Sequence, residues 1–184
     1  GSFSTVDAPG LNDGGQAVFE AELSGTNNGD DDDEGIFRGG GTAGSLVTIA
    51  REGEVAPDGN GTFLFGSSIM PAFNNTGQAA FEAGLQNTSG GTDDNGGIFR
   101  GDGTAGSLVT IARKDDAAPD GDGTYLSFEN HVLNNAGQAA FQAELDLDGS
   151  GGFGSTEDGI FRGDGATGPT RIARENEAAP DGNG

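Results

Sequence analysis

The chain has 184 residues, a formal net charge of −22 and no cysteine. So acidic a surface repels nucleic acid and anionic lipid, which excludes both as partners. The lack of cysteine excludes disulfides and thiolate chemistry, and no apolar run is long enough for direct membrane insertion.

The chain is built from a long repeat. The motif Gly-Ile-Phe-Arg-Gly begins at Gly35, Gly97 and Gly159, a step of 62 residues each time. A period of this size indicates one supersecondary unit per repeat. Gly1 and Ser2 are typical of a cloning remnant. The sequence therefore predicts three units, at residues 3–61, 62–123 and 124–184.

Each unit is predicted to contain four strands and no helix. In the second unit, a short apolar strand over residues 62–73 comes first, and a turn at 74–77 leads into a second strand over 78–85. A third strand at 97–100 and a fourth at 107–113 follow. Asn and Gly dominate the turns because both tolerate a positive φ.

The second strand of each unit has two unlike faces. Ala79, Phe81 and Leu85 share one face, since alternate residues of a strand point the same way. One large ring among small residues favours close stacking of sheets. The other face carries Glu82 and differs between the copies, so we expect it to be less constrained.

Several positions recur in all three units and are predicted to be structural anchors. In the turn and second strand they are Asn12, Gly15, Phe19, Asn74, Gly77, Phe81, Asn134, Gly137 and Phe141. Six of the eight basic residues also recur: Arg38, Arg51, Arg100, Arg113, Arg162 and Arg174. We expect these arginines to pair with a carboxylate or a carbonyl group between strands.

Repeated four-stranded antiparallel units are typical of β-propeller blades. The sequence thus predicts an all-β fold with three blades, half of a six-bladed ring. A β-solenoid and a string of separate small sheets are the alternatives. Closed propellers have about four to eight blades, so three blades leave two open edges. We expect self-association, as a twofold homodimer that closes the ring or as open head-to-tail stacking.

Together these motifs resemble a known family. Asn-x-x-Gly-x-x-Ala-Phe, with Val18 replacing Ala in the first copy, followed by Gly-Ile-Phe-Arg-Gly, Ile-Ala-Arg and Ala-Pro-Asp-Gly, looks like the tandem NxxGxxAF repeat proteins. The turn and second strand also resemble the repeats of TolB-type propellers. The resemblance implies a bacterial protein at the cell surface or outside the cell. It supplies no catalytic residues.

Short acidic turns are the candidate metal sites. Three of them resemble the first half of a calcium loop: Asp58 with Asn60, Asp120 with Asp122, and Asp181 with Asn183. Ile69 and His131 stand where the first two loops need their final carboxylate. A distant acid would have to complete the site, and the alternative is an ordinary turn. We expect the acidic loops at 30–34, 93–94, 146–148 and 157–158 either to bind cations at one rim or, as an alternative, simply to be solvated.

No residue is predicted to be catalytic. His131 is the single histidine, and it replaces the Pro9 and Pro71 of the other copies without a partnered nucleophile. We therefore expect a non-enzymatic, extracellular structural module that self-associates. The alternatives are a propeller that binds a glycan or a surface protein, in a calcium-dependent form or without calcium, and a hydrolase-type propeller enzyme, which lacks a visible nucleophile and base.

Overall fold

The computed structural model describes residues 1–66 and 69–180. These residues form β-strands joined by turns, with one short 3-10 turn at Gly29–Asp31. The strands are β1 (Ser2–Leu11), β2 (Ala17–Ser24), β3 (Glu34–Gly39), β4 (Val47–Arg51), β5 (Thr62–Leu64), β6 (Ala72–Phe73), β7 (Ala79–Gln86), β8 (Gly96–Gly101), β9 (Val109–Arg113), β10 (Thr124–Leu133), β11 (Ala139–Asp146), β12 (Thr156–Gly163) and β13 (Thr170–Arg174).

The strands form three antiparallel sheets, each from consecutive strands. Sheet I has the order β1-β2-β3-β4, and sheet III has the order β10-β11-β12-β13. Sheet II has the order β5-β7-β8-β9, and β6 also pairs with β7, so its first strand is divided in two. The predictions of an all-β chain and of four-stranded antiparallel units are confirmed.

The three sheets share one register. Phe19 lies opposite Phe37 in sheet I, and the equivalent phenylalanines face each other in sheets II and III. The paired rings have centroids 6.0, 6.0 and 5.9 Å apart. A slip of one residue would move every ring to the opposite face, so this repeated pair fixes the register.

The sheets stack face to face, and each has two apolar faces. We call the side with the paired phenylalanines the phenylalanine face. The isoleucine face is the opposite side, which carries Ile36 and Ile49 in sheet I. The isoleucine face of sheet I packs on the phenylalanine face of sheet II, around Phe81. Sheets II and III repeat the arrangement, with Ile98 and Phe141 in the same core.

The alternate face of the second strand is more constrained than its sequence indicates. Ala80 is fully buried in the core between sheets II and III. Glu20 is also buried, and its carboxylate accepts a hydrogen bond from the backbone of Ile69. The expectation of a less constrained face was therefore wrong for Ala80 and Glu20, because the next sheet along the chain covers this face in sheets I and II. Glu82, on the same face, is exposed. None of the described residues belongs to a helix long and apolar enough to span a bilayer.

Candidate functional site

A ladder of asparagines links the turns of neighbouring sheets. The side-chain amide of Asn12 donates to the carbonyl oxygen of Asn74 at 3.1 Å, and that of Asn74 donates to the carbonyl of Asn134 at 2.9 Å. Each of these asparagines also donates to the glutamine four residues later in its own turn. The repeated spacing of the turn therefore serves contacts between units as well as the turn itself.

The recurring arginines also bridge sheets. Arg38 donates to the carbonyl of Asp102 at 2.7 Å, and Arg100 donates to the carbonyl of Asp164 at 3.0 Å. Each of these bonds joins one unit to the next. The predicted carbonyl acceptors are present for this pair, and they belong to the next unit along the chain. Arg162, the third member, has no acceptor among the described residues.

The second group of arginines occupies the predicted calcium turns. Arg113 forms an ion pair with Asp58 at 2.5 Å and reaches the carbonyl of Asn60 at 3.1 Å. Arg174 contacts Asp120 and the carbonyl of Asp122 in the same way, at 3.0 and 2.9 Å.

Calcium binding at these turns stays a prediction. The described residues contain no group of three or more histidines or acids placed to hold a metal ion. Asp181 and Asn183 lie outside the described residues. Arg51, the first-unit member of the arginine group, donates to the carbonyl of Asp32 in its own acidic loop.

The two end sheets each leave one apolar face uncovered. On the isoleucine face of sheet III, Ile160 is 41% exposed and Ile172 is 56% exposed, and Val132, Ala140 and Ala173 lie beside them. The equivalents in sheet II, Ile98 and Ile111, are at most 4% exposed because sheet III covers them. We call this surface the open isoleucine face.

The other uncovered surface is the phenylalanine face of sheet I. Phe3 is 41% exposed and Val6 is 60% exposed, whereas Phe63 and Phe128, at the matching positions, are buried under a neighbouring sheet. Beneath them, Ala21, Leu23 and Phe37 are at most 8% exposed and Phe19 is half-buried, because the ring of Phe3 packs on them. The exposed part of this open phenylalanine face is therefore its first strand, where Phe3 and Val6 lie at positions that a neighbouring sheet covers elsewhere in the stack.

A groove of about 910 Å³ opens where sheet II approaches sheet III, and Met70, Glu82 and His131 line it. Burial and the nearby charge of Glu129 raise the pKa of the Glu82 carboxyl. Burial lowers the pKa of the His131 imidazole, which keeps it neutral at pH 7. The described lining contains no serine, threonine, cysteine or lysine.

The loop after β11 is organised by a buried carboxylate. Asp146 is 6% exposed and accepts backbone hydrogen bonds from residues 148–151, at 2.6–3.3 Å. Residues 146–157 read Asp-Leu-Asp-Gly-Ser-Gly-Gly-Phe-Gly-Ser-Thr-Glu. This order places Asp, Asp, Ser, Gly and Glu at positions 1, 3, 5, 6 and 12, the spacing of a twelve-residue calcium loop.

Sequence reasoning noted the acids of this loop but missed their spacing. The signal was the count of twelve residues from Asp146 to Glu157 with a glycine at the sixth position. In the structure, Glu157 contacts Arg174 at 3.1 Å, so the final carboxylate pairs with a guanidinium group. A cleft of about 520 Å³ adjoins the loop, and the fully exposed ring of Phe153 lines it.

A crowded acidic site surrounds Glu52. Burial, followed by the negative charges of Glu34 and Asp33, raises the pKa of the Glu52 carboxyl from its ordinary value of 4.5 to about 7. The second unit has Lys114 at this position, and its ammonium group donates to Asn95 at 2.9 Å. The acidic loop of the first unit therefore stores electrostatic repulsion that the second unit lacks.

Comparisons of the chain with curated proteins and with solved structures found no match. One family model matches, over residues 1–178, and its description is "Family of unknown function (DUF7453)". Since the match covers nearly all of the chain, the protein belongs to this family, DUF7453.

Proposed function

We propose that the protein is a non-enzymatic structural repeat module that acts outside the cell and self-associates. Its three sheets would be half of a six-bladed β-propeller, with two copies closing the ring. The antiparallel four-stranded units, their face-to-face stacking and the sheet-to-sheet bonds between repeats all favour this arrangement over a β-solenoid. The resemblance to NxxGxxAF repeat proteins supports the extracellular setting.

One observation carries the proposal. Ile98 is fully buried beneath a neighbouring sheet, and Ile160, at the same repeat position, is 41% exposed. Contiguous uncovered apolar surface is unusual on a monomer and marks an interaction site. Both uncovered surfaces are sheet faces, so we assign the association to faces and not to the edges of strands.

The test is the mass of the protein in solution, measured by light scattering on a sizing column over a range of concentrations. A closed six-bladed ring predicts twice the 18.3 kDa of one chain. Open stacking predicts a series of larger masses that grow with concentration. A monomer at every concentration would contradict self-association.

A second candidate function is calcium-dependent binding of a polar ligand such as a glycan. The observation that favours it is the calcium-loop spacing from Asp146 to Glu157, beside a cleft that bears the exposed ring of Phe153. Aromatic rings offer a flat apolar surface to such ligands, while calcium accepts oxygen ligands. The strongly acidic chain also attracts divalent cations.

Titration with calcium, followed by calorimetry and by thermal melting, tests this candidate. Extracellular calcium modules bind at about 10⁻⁴–10⁻³ M, so the titration covers that range. Binding predicts heat and a raised melting temperature, both abolished by Glu157→Gln. Because Glu157 also pairs with Arg174, the variant is compared with itself with and without calcium. No heat and no shift would exclude the candidate.

A further inference from the structure

Each junction inside the stack joins the isoleucine face of an earlier sheet to the phenylalanine face of the next. At the two ends of the stack, one face of each kind has no neighbouring sheet. Building on the proposed function, we infer that the open isoleucine face of one copy docks on the open phenylalanine face of a second copy. The contact is heterologous, with sheet III of one copy against sheet I of the next. It reproduces the two junctions that the chain already contains.

Apolar fit is the first argument. A Cβ atom built on Gly101 would lie 3.3 Å from Ile49 of the preceding sheet, and one built on Gly163 would lie 2.8 Å from Ile111. The last glycine of each Gly-Ile-Phe-Arg-Gly motif thus makes room for an isoleucine of its neighbour.

The end sheets hold one half of this contact each. Gly39 is the equivalent glycine of sheet I, and the nearest atoms around a Cβ built on it all belong to Leu46, in the turn just before β4 of the same unit. Ile172 is the equivalent isoleucine of sheet III, and it is 56% exposed. In the docked pair, Ile172 of one copy would fill the space above Gly39 of the other.

Hydrogen-bond direction is the second argument. In both internal junctions, the first asparagine of the turn and the arginine of the Gly-Ile-Phe-Arg-Gly motif donate from the earlier sheet to backbone carbonyls of the later sheet. These two bonds keep the same direction in both junctions, although other bonds run the opposite way, such as that from Asn75 to Asp13. Sheet III ends with spare donors, since Asn134 and Arg162 are exposed. Sheet I begins with the matching acceptors, the carbonyls of Asn12 and Gly40. Donors therefore meet acceptors when sheet III docks on sheet I.

Symmetric docking of like faces fails on the same grounds. Two open isoleucine faces would bring Arg162 and Asn134 of both copies together, which sets donors against donors and positive charges near each other. Two open phenylalanine faces would set acceptors against acceptors and leave the space above Gly39 unfilled. The heterologous arrangement sets donors against acceptors and fills the space above Gly39. Repeated from copy to copy, it closes into a ring or continues as a filament.

The experiment blocks one face at a time and then mixes the variants. Ile172→Lys blocks the open isoleucine face, and Val6→Lys blocks the open phenylalanine face. Both side chains are exposed in the single chain, so neither change should unfold it. Lysine is chosen because a new carboxylate would increase the general repulsion between chains of net charge −22. Val55→Lys is the control, because Val55 is an exposed apolar residue in the connection between β4 and β5.

The masses of the separate and mixed variants decide between the arrangements. We expect each face variant to be monomeric alone, because each lacks one half of the junction. An equimolar mixture should contain a two-chain species, joined by the one intact pair of faces. Val55→Lys should associate as the unsubstituted chain does.

Other outcomes overturn the inference. If the unsubstituted chain associates but either variant alone still forms dimers, or the mixture stays monomeric, the heterologous contact is wrong and self-association survives. If the unsubstituted chain is a monomer, both the heterologous contact and self-association are wrong. Circular dichroism checks that each variant folds. If Ile172→Lys misfolds, Val132→Lys replaces it, and if Val6→Lys misfolds, Gly41→Asn replaces it. Gly41 has a φ of +76°, and no atom lies within 4 Å of a Cβ built on it.

Discussion

The side chain of Asn74 donates a hydrogen bond to the backbone carbonyl of Asn134, sixty residues away, across the junction of sheets II and III. Asn74 is 3% exposed, whereas Asn134 is exposed because no described sheet covers it. These two asparagines hold the same position in their turns, and only Asn74 has a neighbouring sheet to which it can donate. Comparing substitutions at Asn74 and Asn134 therefore measures how much the hydrogen bond across a junction contributes to stability.

Asn74→Ala should therefore destabilise the protein more than Asn134→Ala, by about 1 kcal/mol for the lost bond between sheets. The penalty for an unpaired carbonyl does not arise, because the Asn134 carbonyl still accepts a bond from the backbone of Gly137. Thr76 donates an additional bond to Asn74, which Ala136 does not supply to Asn134. Both variants are therefore made in a Thr76→Ala background and compared by urea denaturation. Equal losses would mean that the ladder adds nothing across the junction.

Stability should fall as the pH rises from about 4.5 to about 7, through Glu52. Its folded pKa is raised to about 7 from 4.5, so between these values the folded state binds the proton more tightly than the unfolded state. The contribution is present below pH 4.5 and is lost as pH rises through 7. Glu52→Gln should raise the melting temperature at pH 8 and flatten this part of the profile.

Glu175→Gln is the matched control for Glu52→Gln. Glu175 holds the same repeat position in sheet III but is exposed, so its replacement should leave the profile nearly unchanged. A melting temperature that falls between pH 4.5 and 7 by the same amount in the unsubstituted chain and in Glu52→Gln would show that Glu52 is not the group responsible.

Tyr125→Phe should stabilise the protein by about 1 kcal/mol. The tyrosine is 1% exposed, and its hydroxyl has no hydrogen-bond partner among the described residues. Burial, and then the charges of Asp116 and Asp120, raise the pKa of this hydroxyl and keep it neutral. Removing an unpaired buried hydroxyl while keeping the ring relieves a desolvation penalty. A loss of stability in urea denaturation would reveal an unseen partner.

Association of copies should strengthen as salt is added. Each chain carries a net charge of −22, so two chains repel each other at long range. The screening length is about 8 Å at physiological ionic strength and about 3 Å at 1 M salt, while apolar contact between faces is little affected. Sedimentation at several sodium chloride concentrations measures the dissociation constant. Weaker association at high salt would mean that ion pairs, and not apolar faces, hold the copies together.

Much of the fold follows from the sequence, because its signals are local. The alternation around Phe81 fixes a strand with a ring on one side, and the Asn-x-x-Gly turn fixes where it starts. The spacing of Gly-Ile-Phe-Arg-Gly then sets the facing strand, so that Phe99 lies opposite Phe81. Each step depends on residues within one unit.

Contacts between units were not predictable in the same way. A period of two shows that a strand has two faces but not that both are covered, as Ala80 is. The acceptor of Arg38 lies 64 residues away and is a backbone carbonyl, so no side chain marks it in the sequence. The calcium-loop spacing after Asp146 was readable, but it occurs in one copy and a search for repeats passes over it.

The one-way asparagine ladder has a consequence for how such a protein can grow. Each unit brings a donor for the unit after it and an acceptor for the unit before it, as Asn74 does between Asn12 and Asn134. A duplicated gene segment of one period therefore inserts a unit that already fits both neighbours. Lengthening the chain in evolution, or by engineering, requires no compensating change elsewhere.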